Sequence, residues 1–447
     1  MLYPKRYLIG GFFMSLDKII ADLAKKLEPQ TIFRRRDFHQ YPESGWTEFR
    51  TASIVFHILK DLGYEVSVGA EVIDETTMMG VPNKKILEKE MQRAISQGAD
   101  PGLVEQMRGG KTGIVGTMHF NKPGKTVALR FDMDCNEVME ANDKKHRPVR
   151  EGFSSKNPGC MHACGHDGHT AAGLTIAEIL ATLKNDLCGT VKFIFQPAEE
   201  GVRGAKAMTA CGIVDNVDYL LGAHLMTPTT GYLAYDVQGF LATSKFDAIF
   251  TGTPSHAGAA PETGNNSLLA AANAAIHIQA ISRHSDGASR VNVGVLRAGT
   301  GRNVIPAEAI IKVETRGASS KINEYLYHCA EKIIYSSAAM YDNQVSIQSM
   351  GSALGGGNSP ILSNHIKTTA QRLGIFHTLE VASNIGGSED CSYFMNQVQK
   401  NGGQAAYLII GASLTAVNHN LYFDFDEHAL TLEAQLLATV VTELLQQ

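Results

Sequence analysis

Four short apolar runs, Thr126 to Phe131, Val191 to Phe195, Tyr219 to Ala223 and Ala405 to Gly411, read as buried strands separated by amphipathic stretches such as Gly168 to Leu183. This alternation predicts an α/β fold with a largely parallel sheet. The residues suited to chemistry fall where the runs end: Asp132 and Asp134 after the first, Glu199 and Glu200 after the second, His224 after the third and His419 after the fourth. Ligand sites in open α/β sheets lie outside the carboxyl ends of the strands, so four separate segments point to one crevice.

Two segments give that crevice its chemistry. Met161 to His169 reads Met-His-Ala-Cys-Gly-His-Asp-Gly-His, and Gln196 to Gly201 reads Gln-Pro-Ala-Glu-Glu-Gly. Cys164 and His166 lie two apart in a Gly-containing turn, where a thiolate and an imidazole can converge on a metal, while paired glutamates can supply both a ligand and a general base. A dinuclear metallohydrolase site is the expectation. A lone cysteine is usually packing, which is how Cys135, Cys160, Cys188, Cys211, Cys329 and Cys391 read. His39, His162 and His169 read as satisfied core or surface residues by the same reasoning.

From about Lys245 to Gly351 the order changes to strand Phe246–Thr251, helix Ser267–Ser282, strands Arg290–Leu296 and Ala309–Thr315, helix Lys321–Met340 and strand Gln344–Met350. That β-α-β-β-α-β order predicts a ferredoxin-like α+β domain inserted into the first. The expected division is a catalytic metal-binding domain over 14–240 and 352–447, with a lid and dimerisation domain over 241–351. The run Gly355 to Gly357 is a hinge or an ordinary turn. Glu71 to Lys111 is a polar insertion with a helical pattern over Lys84 to Ser96; a segment this long is seldom passive, and it covers the site, joins an oligomer contact or makes a surface excursion.

Composition excludes several partners. The net charge of −5, without a long basic run, argues against nucleic acid and anionic membrane. Seven cysteines, an odd number without close pairing, fit a reducing compartment, and cytoplasm is the expected location. Met1 to Phe13 has too short an apolar stretch for a signal peptide and reads as a disordered extension ahead of Met14.

Taken with Arg35 to Gly45, Asp132 to Asp134, Ser255 to Gly258, Gly301 to Pro306, Gly387 to Asp390 and Asn418 to Asn420, these motifs resemble the M20 metallopeptidases from about Arg34 to Glu427. Within that family the resemblance is to aminoacylase and carboxypeptidase-like amidohydrolases whose first ligand motif contains cysteine. It implies hydrolysis of an amide bond, p-aminobenzoyl-glutamate to p-aminobenzoate and glutamate first, with N-acyl amino acids or other amino acid conjugates as the alternative substrates. A third reading is a non-catalytic partner that completes another chain's site. The resemblance further implies two divalent metal ions, Mn2+ or Zn2+. One would be held by Cys164, Glu200 and His419, the other by Cys164, His166 and His224. Glu199 is the implied general base and Asp134 orients a metal ligand. His256 would stabilise an oxyanion across a dimer interface, assisted by Asn303, and Arg316 would bind a substrate α-carboxylate. The implied assembly is a homodimer or a heterodimer with a related second chain. Two departures stand out: Cys135-Asn-Glu137 follows Asp134 where many relatives have Ala-Leu-Pro, and Asn418 stands where close relatives often have a second histidine.

Overall fold

A computed structural model of the chain describes residues 6–9, 12–383 and 386–446. Its strands run β1 (Arg6–Ile9), β2 (Phe12–Ser15), β3 (Glu65–Val68), β4 (Ile114–His119), β5 (Thr126–Asp132), β6 (Thr190–Gln196), β7 (Tyr219–Met226), β8 (Tyr232–Val237), β9 (Ala242–Thr251), β10 (Ser289–Ala298), β11 (Glu308–Gly317), β12 (Gln344–Ala353), β13 (Thr378–Ala382) and β14 (Gln404–Gly411). Part of the expected N-terminal extension, residues 1–5 and 10–11, lies outside the described residues; β1 and β2 pair there as a short antiparallel ribbon, where a disordered segment was expected.

The larger sheet has the order β13-β8-β14-β7-β5-β6-β4-β3. Its centre is parallel, with β14 on β7, β7 on β5 and β5 on β6, and its flanks bring antiparallel pairs at β14–β8, β6–β4 and β4–β3. Parallel strands covered on both faces read as continuous apolar runs, and Val127, Leu129, Val191, Phe193, Leu220 and Leu408 are all buried. The helices Leu16–Gln40, His166–Thr182 and His428–Leu445 cover one face, where their apolar sides join Phe131, Phe193 and Phe195 in a single core. Burial of one such side chain stabilises by roughly 1.5–3 kcal/mol, so this layer fixes the sheet that carries the site.

The second sheet is antiparallel, order β10-β11-β9-β12, the ferredoxin-like arrangement. Alternation decides its faces. Ala309, Ile311 and Val313 on β11 and Phe246, Ala248 and Phe250 on β9 are buried against the helices Ser267–Gln279 and Ser320–Met340, leaving Arg316, Glu314 and Lys312 on the opposite face. The two chain passes between the sheets run side by side, with Phe240 N donating to Gly356 O at 3.1 Å, so Gly356 sits in a paired segment.

The insertion after Glu71 forms the helices Lys84–Ser96 and Pro101–Gln106. Its leading loop wedges between the sheets: Trp46 Nε1 donates to Met79 O at 2.8 Å, and the hydroxyls of Ser349 and Ser352 on β12 reach the Met79 sulfur at 3.2 and 3.5 Å.

Candidate metal centre

The turn ahead of helix His166–Thr182 is made by Gly165, whose φ of 88° is a conformation that L side chains rarely adopt. That left-handed step separates Cys164 from His166 while keeping both at the helix start. His166 Nδ1 donates to the backbone carbonyl of Asp134 at 2.9 Å, and His224 Nδ1 donates to the carbonyl of Leu225 at 2.8 Å. Both imidazoles therefore present Nε2, the arrangement by which an outer hydrogen bond sets the tautomer of a metal-binding histidine. The Asp134 carboxylate lies 3.4 Å from His166 Nδ1 and also accepts the backbone N–H groups of Glu199 at 2.9 Å and Glu200 at 3.0 Å. Just before them, Ala198 has φ of 53°, and its N–H is held by buried Glu48 at 2.8 Å. Such backbone in a non-glycine residue costs on the order of 1 kcal/mol and persists where surroundings over-determine it, as two carboxylates do here.

Among the groups of ligand-type atoms, two share one sulfur. Cys164, His166 and His224 form one and Cys164, Glu200 and His419 the other, with the atoms of each group within 4.8 Å of one another. Cys164 Sγ is 3.5 Å from His224 Nε2, and His419 Nε2 is 3.5 Å from Glu200 Oε1. His419 reaches in from the loop after β14 with φ of 67°, its N–H donating to Ala163 O at 2.8 Å. Buried His166 Nε2 and Glu200 Oε1 lack a hydrogen-bond partner among the described residues, which is costly unless something else satisfies them. A pair of divalent cations fits this donor set of one thiolate, three imidazoles and a carboxylate.

Electrostatics favour cations in the same place. Although burial opposes it, His224, His166 and His419 draw the Cys164 thiol down to about 5. Against burial, Cys164 raises His224 to about 9, and the contact with Cys164 raises His419 to about 10. Burial works against Glu200 too, yet His419 and His166 hold it down to about 2. Glu199 goes the other way: burial, then the charges of Glu389 and Glu200, push its carboxyl well above the usual range. Adjacent glutamates thus differ, one an anion and one prepared to hold a proton.

His169 does not join the ligands although its ring stacks on His166 and lies edge-on to His224. Its Nε2 accepts from Leu225 N at 2.9 Å, so Nδ1 donates to Asp132 at 2.6 Å and no lone pair remains. His39 is likewise occupied, by Asp167 at 2.7 Å and Glu140 at 3.0 Å. His162 is buried without a ring partner among the described residues, and burial lowers it to about 3, which keeps it neutral. His224 was expected beyond its strand and instead lies inside β7, because pairing with β14 extends that strand to Met226.

The second-sheet residues stand apart from these groups. His256 is exposed and its Nδ1 accepts from Gly258 N and Ala259 N, both at 3.1 Å, which leaves Nε2–H as a free donor. Asn303 holds the same turn through its carbonyl, which accepts from Ala257 N at 3.0 Å. Arg316 pairs with Glu314 at 2.9 Å and faces Arg290 across β10 and β11. Sequence reasoning missed Glu48 and Asn418. Glu48 lies just past the Arg35 to Gly45 segment and was not singled out, and Asn418 was read only as a missing histidine, whereas its Nδ2 donates to Cys164 Sγ at 3.2 Å.

The sequence model of peptidase family M20/M25/M40 matches residues 128–443. The chain is 47% identical, over 95% of its length and 97% of the relative's, to one of the chains that make up the p-aminobenzoyl-glutamate hydrolase of Escherichia coli strain K12. It is 46% identical to the indole-3-acetyl-aspartic acid hydrolase of Enterobacter agglomerans, with 94% and 97% covered. Among solved structures, an aminobenzoyl-glutamate utilization protein from Klebsiella pneumoniae superposes with a TM-score of 0.82 at 39% identity, covering 95% of this chain and 98% of that one.

Proposed function

Because the chain belongs to peptidase family M20/M25/M40, we propose that this amidohydrolase cleaves N-acylated acidic amino acids, with p-aminobenzoyl-glutamate as its principal substrate. The observation that carries the reading is the pair of three-residue groups meeting at Cys164, beside a glutamate whose carboxyl is pushed upward. When bound there, two divalent ions, Mn2+ or Zn2+, supply Lewis acidity toward the scissile carbonyl and the attacking water. Cys164, His166 and His224 would hold one ion and Cys164, Glu200 and His419 the other.

Glu199 takes the proton from the attacking water and returns it to the leaving amine. The same carboxyl does both because its buried site stabilises the protonated form between the two transfers. Asp134 fixes the base by gripping the N–H groups of Glu199 and Glu200. His256, with Nε2–H free, serves as an oxyanion donor delivered from a second chain, and Asn303 keeps its turn in place. In this reading residues 241–351 are the lid and dimerisation unit, and the assembly is a homodimer or a heterodimer with a related second chain.

An acidic leaving group is supported by the second sheet. Arg290 and Arg316 sit directly opposite each other on antiparallel strands, an arrangement that destabilises unless negative charge lies nearby. Glu314 pairs with Arg316 at 2.9 Å and with Lys245 at 4.0 Å, and a substrate carboxylate would satisfy the Arg316 guanidinium further, bidentately. The near-equal identity to an indole-acetyl-aspartate hydrolase favours a second reading, in which the acyl group is indolic and the amino acid is aspartate. Turnover by purified, metal-loaded protein on both conjugates and on N-acetyl-alanine separates these readings. Higher kcat/KM on aminobenzoyl-glutamate supports the first and higher kcat/KM on the indole conjugate the second; preference for acetyl-alanine removes the acidic-substrate assignment.

A further inference from the structure

Next to the ligand groups lies a pair of sulfurs that the hydrolytic reading does not use. Cys135 follows Asp134 directly, and Cys160 precedes the segment Met161 to Cys164. Asn136 and Met161 exchange both backbone hydrogen bonds, at 3.1 and 3.0 Å, in an antiparallel bridge. Side chains alternate across such a bridge, so the preceding residues Cys135 and Cys160 share its other face on a diagonal. Gly159, with φ of 87°, turns the chain just before Cys160, and the two thiols hydrogen-bond to each other.

Their exposures differ in a useful way. Cys135 is buried, while Cys160 is partly exposed and lines a cavity of about 250 Å³ with Met139, Glu140, Ser155 and Pro158. The hydrogen bond from Cys135 holds the Cys160 thiol below its ordinary range against burial and the charge of Glu137, with a smaller contribution from Arg93 on the helix Lys84–Ser96 of the insertion. A partly exposed thiol that accepts a hydrogen bond from a second thiol is placed for selective oxidation, with a resolving partner at hand.

We propose that Cys135 and Cys160 are a reversible peroxide-sensitive dithiol that forms a disulfide beside the metal centre. The Cys160 thiolate attacks a hydrogen peroxide oxygen, the O–O bond breaks, and sulfenic acid and hydroxide form; the hydroxide takes up the proton that Cys160 lost. The Cys135 thiol then attacks the sulfenic sulfur, forming the S–S bond and releasing water. Two thiols are oxidised by two electrons and one peroxide is reduced to two waters. A small-molecule dithiol reverses the step by exchange.

The link ties the residue after Asp134 to the segment leading into Cys164. Since Asp134 holds the N–H groups of both glutamates, a shift there displaces Glu199 and Glu200 together. Oxidation lowers turnover without removing any residue of the site.

The test uses full-length metal-loaded protein treated with hydrogen peroxide, alkylated with iodoacetamide, digested and sequenced by tandem mass spectrometry. Cys160 and Cys164 share a tryptic peptide, so fragment ions must assign the link. The expected result is a Cys135–Cys160 disulfide that dithiothreitol removes, with parallel loss and recovery of turnover. In Cys160→Ser, basal turnover is kept and the dithiothreitol-reversible loss is absent; if that variant misfolds, the peptide mapping of the unmodified chain decides. A link through Cys164, or alkylated Cys135 and Cys160 at a peroxide dose that oxidises other cysteines, overturns the proposal. The peptide map is independent of substrate, so its failure is distinct from failure of the hydrolase reading.

Discussion

Asn418 donates its side-chain amide to the sulfur of Cys164 at 3.2 Å, a charge-assisted hydrogen bond onto the atom common to both ligand groups. Loss of such an outer partner typically costs about 10- to 100-fold in metal affinity. Asn418→Ala should therefore weaken binding of both ions, while Asn418→Gln recovers part of it. Competition with a chromophoric chelator measures this, and unchanged affinity in Asn418→Ala would show that the amide is only a neighbour.

Removing ligands should act unequally. Cys164→Ala takes a donor from both groups and should lower metal content most, whereas His166→Ala, His224→Ala, Glu200→Ala and His419→Ala each reduce one site. Elemental analysis after desalting gives the stoichiometry. Full occupancy in two or more of these variants would sink the ligand assignment.

The base is separable from the ligands. Glu199→Gln keeps the shape but cannot accept a proton, so metal content and substrate binding should persist while turnover falls by about 10² to 10⁴. Loss of metal in this variant would mean that Glu199 and Glu200 have exchanged roles.

Arg316→Ala should raise KM chiefly for substrates with a free α-carboxylate, and His256→Ala should depress kcat. Neither inactive Glu199→Gln nor His256→Ala chains work alone, yet mixing them should return some activity, because one site in a mixed dimer has both groups intact. If tagged chains demonstrably exchange and no activity returns, His256 is not delivered between chains.

Stability should depend on pH through Glu433, a buried carboxyl on helix His428–Leu445 with neither oxygen hydrogen-bonded among the described residues. Burial, then the charge of Asp132, pushes it up to about 8 from an ordinary 4.5. The folded state thus holds this proton more tightly than the unfolded one, and its contribution is present below pH 4.5 and lost as pH rises through 8. Glu433→Gln should melt higher than the parent at pH 8.5, by about 1–3 °C, with the gap narrowing toward pH 5. A gap that is constant across the range would place the effect elsewhere.

The residues legible in the sequence were those carried by a repeating signal. The β-α-β-β-α-β order from Phe246 to Met350 marked the second sheet, and apolar runs ending in acids or histidines marked the crevice. Glu48 gave no such signal: it reaches Ala198 only through the fold, across 150 positions of chain. His224 was misplaced by a few residues because strand ends are set by the partner's length, here β14, which local hydropathy does not contain. The pairing of Cys135 with Cys160 was hidden for a similar reason, since each was read alone.

The adjacent passes at Phe240 and Gly356 give the second sheet an entry and an exit at one spot. Such a unit is a cassette: a short turn from Phe240 to Gly356 would close the larger sheet without changing its strand order, and a different unit could be grafted at the same seam. If Arg316 grips the substrate as proposed, substrate preference can diverge by replacement of one contiguous stretch of gene, while the cluster around Cys164 stays encoded outside it.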